Sequence, residues 1–172
     1  VGDNMKQSKV RIATVWLCGC SGCHMSFLDL DERLAELAER IELLHSPIAD
    51  VKDIPEVDVG IVEGGVANEE NLHVLKKIRE RAKILVSLGD CAGFGCVPML
   101  RNLYDKNEVL ERAYIGVEST ALGEVPAGED LPGLFDKVRP IHEFVEVDVH
   151  LPGCPPDADA IWTTLKALLE GT

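Results

Sequence analysis

Short apolar runs alternate along this chain with longer stretches in which apolar residues recur at helical spacing. Val10 to Leu17 (VRIATVWL) is a β-branched run that stops at a Gly/Cys/Ser cluster, the pattern of a buried strand. From Ser26, the segment FLDLDERLAELAERI sets Phe27, Leu30, Leu34, Leu37, Ala38 and Ile41 on one face of a predicted helix, with charges on the other. Ile41 to His45 reads as a second strand, after which Pro47 and Pro55 bracket a loop. Val57 to Val62 is a third strand, closed by Glu63-Gly64-Gly65. Asn68 stands where an N-cap belongs, ahead of a second helix over EENLHVLKKIRERA. Lys83 to Leu88 is a fourth strand, ended by Gly89-Asp90-Cys91, and Val145 to His150 a fifth, followed by LPGCPP. Asp157 to Leu169 closes the series as a helix with Ile161, Leu165, Leu168 and Leu169 on one face and Pro156 just before it. Between Leu100 and Pro140, six glycines and prolines (Gly116, Gly123, Pro126, Gly128, Pro132, Gly133) predict a long connection with short helical pieces, a functional or partner-facing excursion.

Strands alternating with helices at these lengths predict an α/β fold, a doubly wound parallel sheet with helices on both faces. One domain is expected over residues 1–172, with residues 1–9 a polar N-terminal tail and no internal repeat.

Composition narrows the function. No apolar run reaches the roughly 18–20 residues that cross a bilayer, and the polar start lacks the apolar stretch of a signal peptide, so a cytoplasmic protein with no membrane association is expected. The formal net charge of −13, from 30 acidic and 17 basic residues, supplies no basic face for phosphate backbones and argues against nucleic-acid partners. Six cysteines in a chain without an export signal favour metal binding or redox work over a disulfide framework.

Those cysteines follow three different strands, as Cys18-Gly-Cys20-Ser-Gly-Cys23, Gly-Asp-Cys91-Ala-Gly-Phe-Gly-Cys96 and Leu-Pro-Gly-Cys154-Pro-Pro. Ligand sites in open parallel sheets lie beyond the carboxyl ends of the strands, so a parallel sheet gathers all six there. A C-x-x-C turn aims two thiolates at one centre, and two more from other loops complete the four that hold an iron–sulfur cluster. Neighbouring glycines fit tight turns and bring backbone N–H groups close to sulfur. Two other readings stay open at this point. A lone redox C-x-x-C pair leaves the other two Gly-Cys loops unexplained, and structural zinc normally uses a second C-x-x-C knuckle that is missing here. Cys18 and Cys96 are surplus to one cluster and are expected to be free thiols near it. His24 is expected to be a hydrogen-bonded loop histidine, with a ligand or proton-relay role as the other reading, and Glu63 belongs to the same edge, where a proton-handling or cluster-adjacent role competes with a surface one. His45, His73, His142 and His150 read as structural, and Trp16 and Trp162 as core.

Cys20-Ser-Gly-Cys23 after a strand, Glu63-Gly-Gly-Val66, Gly89-Asp90-Cys91-Ala92 and Leu151-Pro-Gly-Cys154-Pro-Pro156, in this order and spacing, resemble the small subunits of [NiFe] hydrogenases. The likeness spans nearly the whole chain, and the run WLCGCSGCHMSFLDLDERL looks most like the soluble, NAD-reducing bidirectional type. The resemblance implies a flavodoxin-like fold and one [4Fe–4S] cluster on the cysteines matching Cys20, Cys23, Cys91 and Cys154. It further implies a Ni–Fe centre in a separate large subunit, and diaphorase subunits with Fe–S clusters and flavin that pass electrons to NAD⁺. No catalysis is expected of the isolated chain. FMN is not expected on it, because no phosphate-cradling loop is visible and the cluster takes the edge where flavin would sit. The chain stops shortly after the fourth cysteine, which leaves room for one cluster. Many family members carry glutamate immediately before the first ligand cysteine. Gly19, preceded by Cys18, stands there instead, so any proton route through that glutamate must differ, and Cys18 joins Glu63 as a candidate for a proton or cluster-adjacent role. The related cluster-bearing subunits of NADH–quinone oxidoreductases characteristically have adjacent cysteines at the first motif, whereas Gly19 separates Cys18 from Cys20.

Overall fold

In the computed structural model, which describes residues 9–121 and 123–171, the β-branched runs become the strands of one parallel sheet. β1 (Val10–Trp16), β2 (Ile41–His45), β3 (Val57–Glu63), β5 (Ala82–Leu88) and β7 (Val149–Leu151) lie in the order β2-β1-β3-β5-β7, every pair parallel. This is the flavodoxin-like order, with the crossovers of the two sides meeting between β1 and β3. The tail expected over residues 1–9 lies outside the described residues except for Lys9.

The strands are apolar on both sides because both faces are covered. On one face Ala13, Val15, Val62 and Leu85 pack under α3 (Glu69–Arg81) through Leu75 and Ile78. On the other, Ile12, Val59, Ile61 and Val86 meet α1 (Gly22–Leu28), α2 (Arg33–Arg40) and α6 (Ala158–Glu170) through Phe27, Leu37, Ile161 and Leu165, with Leu30 of the α1–α2 break beside them. The predicted Asn68 cap is formed, and Asp157, expected as the first helical residue, is a cap as well. The Asn68 side chain accepts the Asn71 N–H at 2.7 Å at the start of α3, and Asp157 accepts that of Ala160 at 2.9 Å at the start of α6.

Three expectations are corrected. The single helix predicted from Ser26 to Ile41 is two, beginning earlier at Gly22 and broken between Leu28 and Arg33, where Asp31 takes a left-handed conformation (φ 51°). Leu30, on the predicted apolar face, is buried within the break, at 1% exposure. The fifth strand is only Val149–Leu151. Upstream of it, the Asp148 carboxylate takes the Leu85 N–H at 2.7 Å, while Val145 and Val147 pack on the α3 side without joining the ladder. The connection from Leu100 to Pro140 carries a helical piece as expected, α5 (Lys106–Tyr114), but also an unexpected strand, β6 (Leu134–Arg139), which pairs antiparallel with β4 (Val66–Asn68) in a separate ribbon. Among the described residues no helix is long and apolar enough to cross a membrane.

Candidate functional site

Register aligns the carboxyl ends of the strands. Trp16 sits beside Glu63, Glu63 beside Leu88, and Leu88 beside Leu151, so the loops that follow leave from one level. Cys20 and Cys23 come from the loop after β1 and the first turn of α1, Cys91 from α4 (Gly89–Phe94) after β5, and Cys154 from the loop after β7. Cys23 and Cys91 are buried, at 6% and 7% exposure, while Cys20 and Cys154 face outward.

Backbone contacts knit these loops together. Cys18 and Gly65 exchange two hydrogen bonds, of 2.9 and 2.8 Å. The intervening Gly64 (φ +90°) lies so close to this bridge that a Cβ would stand 2.8 Å from the Leu17 carbonyl carbon. Asp90 joins the second and third cysteine loops, its side chain accepting the Gly153 N–H at 2.7 Å while its own N–H reaches the Gly153 carbonyl at 2.9 Å. Ser26 Oγ donates to the Pro156 carbonyl at 2.5 Å, tying α1 to the third loop. Gly89 (φ +81°) leaves room for sulfur, since a Cβ there would collide with Cys23 Sγ.

Glu63 lies at the centre, 2% exposed. Its carboxylate accepts the N–H groups of Cys23 (3.2 Å) and His24 (3.0 Å) and sits 2.5 Å from His24 Nδ1. Burial alone would raise its proton affinity, but the hydrogen bonds from His24 and Cys23 and the His24 charge outweigh it and hold the group below its ordinary value. His24 is thus hydrogen-bonded as expected, but within a helix and not a loop, and Trp16 stacks edge-on against its ring at 5.4 Å between centroids.

The thiols sense one another. Burial, then the charges of Glu63, Cys91, Cys20 and Cys154, pushes Cys23 up to about 12. Burial followed by Cys96, Cys154 and Cys20 pushes Cys91 up to about 11. The neighbouring Cys96 thiol, by hydrogen bond and charge, raises Cys154, and burial raises Cys18 against the pull of Arg101. Four thiols in mutual range need a positive centre before they can all act as thiolates. Four sulfurs form a soft donor set, the kind iron–sulfur clusters and zinc take. Among the described residues, no three His, Cys, Asp or Glu side chains close around one point as a single metal ion requires. Charge and hydrogen bonding couple Cys20, Cys23, Cys91 and Cys154 with one another and with Cys96, and Glu63 reaches the Cys23 N–H, whereas Cys18 is tied through its backbone to Gly65 and its thiol feels burial and Arg101. Sequence reasoning did not find the Asp90–Gly153 link, although an acidic residue between Gly89 and Cys91 was its one visible sign.

The model of the family described as NADH ubiquinone oxidoreductase, 20 Kd subunit, matches residues 20–168. The chain is 45% identical over 170 residues to the NAD-reducing hydrogenase HoxS subunit delta of Cupriavidus necator, covering 96% of this chain and 81% of that one. It is also 45% identical over 167 residues to a subunit of the F420-non-reducing hydrogenase of Methanothermobacter marburgensis, covering 95% of this chain but 54% of that one, so it spans about half of that relative's length. Its fold matches a chain of the crystal structure of an NAD+-reducing [NiFe]-hydrogenase in the H2-reduced state with TM-score 0.94 and 47% identity, over 95% of this chain and 93% of that chain. Fold alone is shared with an H2-activated [NiFeSe]-hydrogenase of Dm. baculatum, at TM-score 0.64 and 16% identity, over 95% of this chain and 63% of that one. Motifs, sheet order and these relatives agree: the chain belongs to the NADH ubiquinone oxidoreductase 20 Kd subunit family and, within it, to the small subunits of hydrogenases.

Proposed function

We propose that the chain is a single iron–sulfur domain that holds one [4Fe–4S] cluster on Cys20, Cys23, Cys91 and Cys154 and relays electrons inside a soluble, cytoplasmic, NAD-reducing [NiFe] hydrogenase. The Ni–Fe centre belongs to a partner large subunit, and the electrons go on to diaphorase subunits that carry Fe–S clusters and flavin; FMN is not assigned to this chain. The carrying observation is the convergence of four thiols from three loops on the carboxyl edge of one parallel sheet. The names of the Cupriavidus necator relative and of the H2-reduced structure support the NAD-reducing assignment.

When bound, the cluster supplies one-electron transfer. The chain's own residues hold and screen it. Buried Cys23 and Cys91 and exposed Cys20 and Cys154 would hold it, and Gly89 keeps the space around Cys23 Sγ clear. Glu63 fixes the first loop by holding the N–H groups of Cys23 and His24. An exposed apolar strip follows Cys91, with Phe94 66%, Leu100 60% and Leu103 75% accessible, and it offers the large subunit a seat beside the cluster.

Anaerobic purification of the complex, with iron, sulfide, nickel and zinc analysis and an absorption spectrum, tests this reading. Four irons and four sulfides assigned to this chain, lost in Cys91→Ala, are expected. Zinc in their place, or an unchanged iron and sulfide complement in the variant, would defeat the cluster assignment. A complex without nickel would move the chain to the quinone-linked branch of its family.

A further inference from the structure

Of the four cysteines assigned to the cluster, Cys154 has the least support from its own segment. It stands exposed in Leu151-Pro-Gly-Cys154-Pro-Pro156, after the three-residue edge strand β7. Prolines at 152, 155 and 156 carry no N–H, so from Pro152 to Pro156 only Gly153 and Cys154 can donate from the backbone. A loop with two donors has little means of fixing its own shape, and its position has to be set from outside.

Two side chains from the other cysteine-bearing elements reach it. Asp90, the residue before Cys91, accepts the Gly153 N–H on a side-chain oxygen at 2.7 Å and gives its own N–H to the Gly153 carbonyl at 2.9 Å. Ser26, three residues beyond Cys23 in α1 and 6% exposed, donates its hydroxyl to the carbonyl of buried Pro156 at 2.5 Å. Cys154 is thus bracketed, one residue before it by Asp90 and two residues after it by Ser26. Each bracket starts on a helix that carries a buried cysteine, Cys91 on α4 and Cys23 on α1. A carbonyl left without its donor in a buried place costs stability, so the Ser26 contact resists opening.

We propose that Asp90 and Ser26 are positioning residues, two latches that set the exposed ligand Cys154 against the buried ligands Cys91 and Cys23. The inference rests on the cluster reading above and adds what keeps the outer ligand in place. With either latch open, the Cys154 thiolate gives up its iron more readily, and water or a chelator takes its place on the metal.

Anaerobic release of iron from the purified intact complex to the ferrous chelator bathophenanthroline disulfonate tests the latches, since clusters on other subunits give every variant the same background. Asp90→Ala and Ser26→Ala should each release this chain's iron about tenfold faster than the unaltered complex, the effect of one lost hydrogen bond. Asp90→Asn keeps an acceptor oxygen and should restore slow release. The electron paramagnetic resonance line shape of the reduced complex should change in both alanine variants and return in Asp90→Asn. Release at the unaltered rate from either alanine variant, or release from Asp90→Asn as fast as from Asp90→Ala, would overturn the proposal. Should Asp90→Ala fail to assemble, Ser26→Ala, which removes a single hydroxyl, decides alone. An iron count that Cys91→Ala leaves unchanged would overturn the cluster reading and this proposal with it, whereas a cluster lost in Cys91→Ala but indifferent to both latches overturns the proposal alone.

Discussion

The carboxylate of Glu63, the last residue of β3, caps α1 by accepting the N–H of Cys23 at 3.2 Å and of His24 at 3.0 Å, from 40 and 39 residues away in the chain. The residue at the local N-cap position, Ser21, is left-handed (φ 64°) and makes no side-chain cap, so the first turn of α1 depends on this distant acid. Glu63→Gln keeps an acceptor but removes the charge. A loss of about 1–3 kcal/mol of stability is expected, with weaker iron retention, read by thermal denaturation and iron content of the purified complex. A variant with unchanged melting and unchanged iron would show that the cap is not what holds the loop.

Gly89 is constrained twice, by its positive φ of 81° and by Cys23 Sγ, with which a Cβ would collide. Gly89→Ala should cost about 1–3 kcal/mol and push Cys23 out of position. Iron and sulfide content should fall while far-UV circular dichroism stays that of the folded chain. Full cluster content in this variant would mean that the loop relaxes freely, contrary to the close fit of Gly89 against the sulfur.

Cys96 adopts φ 39°, ψ −129°, a conformation that glycine tolerates better than any side chain. As a surplus thiol it should be dispensable. Cys96→Gly is expected to retain all its iron and to gain about 1 kcal/mol in stability by relieving the backbone. Loss of iron would instead make Cys96 a ligand.

Asp58 accepts the Arg11 guanidinium at 3.2 and 3.3 Å and the Arg11 N–H at 2.9 Å, and pairs with Lys83 at 2.9 Å. The hydrogen bonds from Arg11 and then Lys83 hold its carboxyl well below the usual carboxylate range. The unfolded chain therefore takes up this proton at a higher pH than the folded one. The stabilisation is fully present above the unfolded value of about 4 and is lost as the pH falls through the folded value. Asp58→Asn should cost about 1 kcal/mol near neutrality, and the gap from the unaltered protein should close as the pH drops below about 4 in chemical denaturation. A gap that is constant with pH would remove Asp58 from the acid response.

Much of the fold can be read from local pattern. β1, β3 and β5 are short β-branched runs because both of their faces are covered, and the helices α3 and α6 announce themselves through Asn68 and Asp157, whose caps form within three residues. The cysteine site was legible for a topological reason. Once the sheet is parallel, loops after β1, β5 and β7 must open on one edge, however far apart their residues stand in the chain.

The parts that escaped are those in which a distant partner overrides local preference. Nothing in the run from Asp29 to Glu32 breaks a helix by itself; the break falls at left-handed Asp31, with Leu30 buried against the sheet. Val145 to Asp148 alternates like a strand, yet its pairing ends at Val149 because Asp148 commits its carboxylate to Leu85 and Arg79. β4 and β6 are too short to signal alone and become strands by pairing with each other.

The sequence by itself determined the order of the five strands of the parallel sheet and of the helices α3 and α6, and which cysteines follow those strands, because hydrophobic period and strand-end position are local properties. Only the tertiary structure decided that Glu63 holds the first cysteine loop, that Asp90 ties the second to the third, and that His24 is pinned to Glu63 through its Nδ1. Those are contacts between segments tens of residues apart. Their energies depend on burial and direction, which a one-dimensional pattern does not contain.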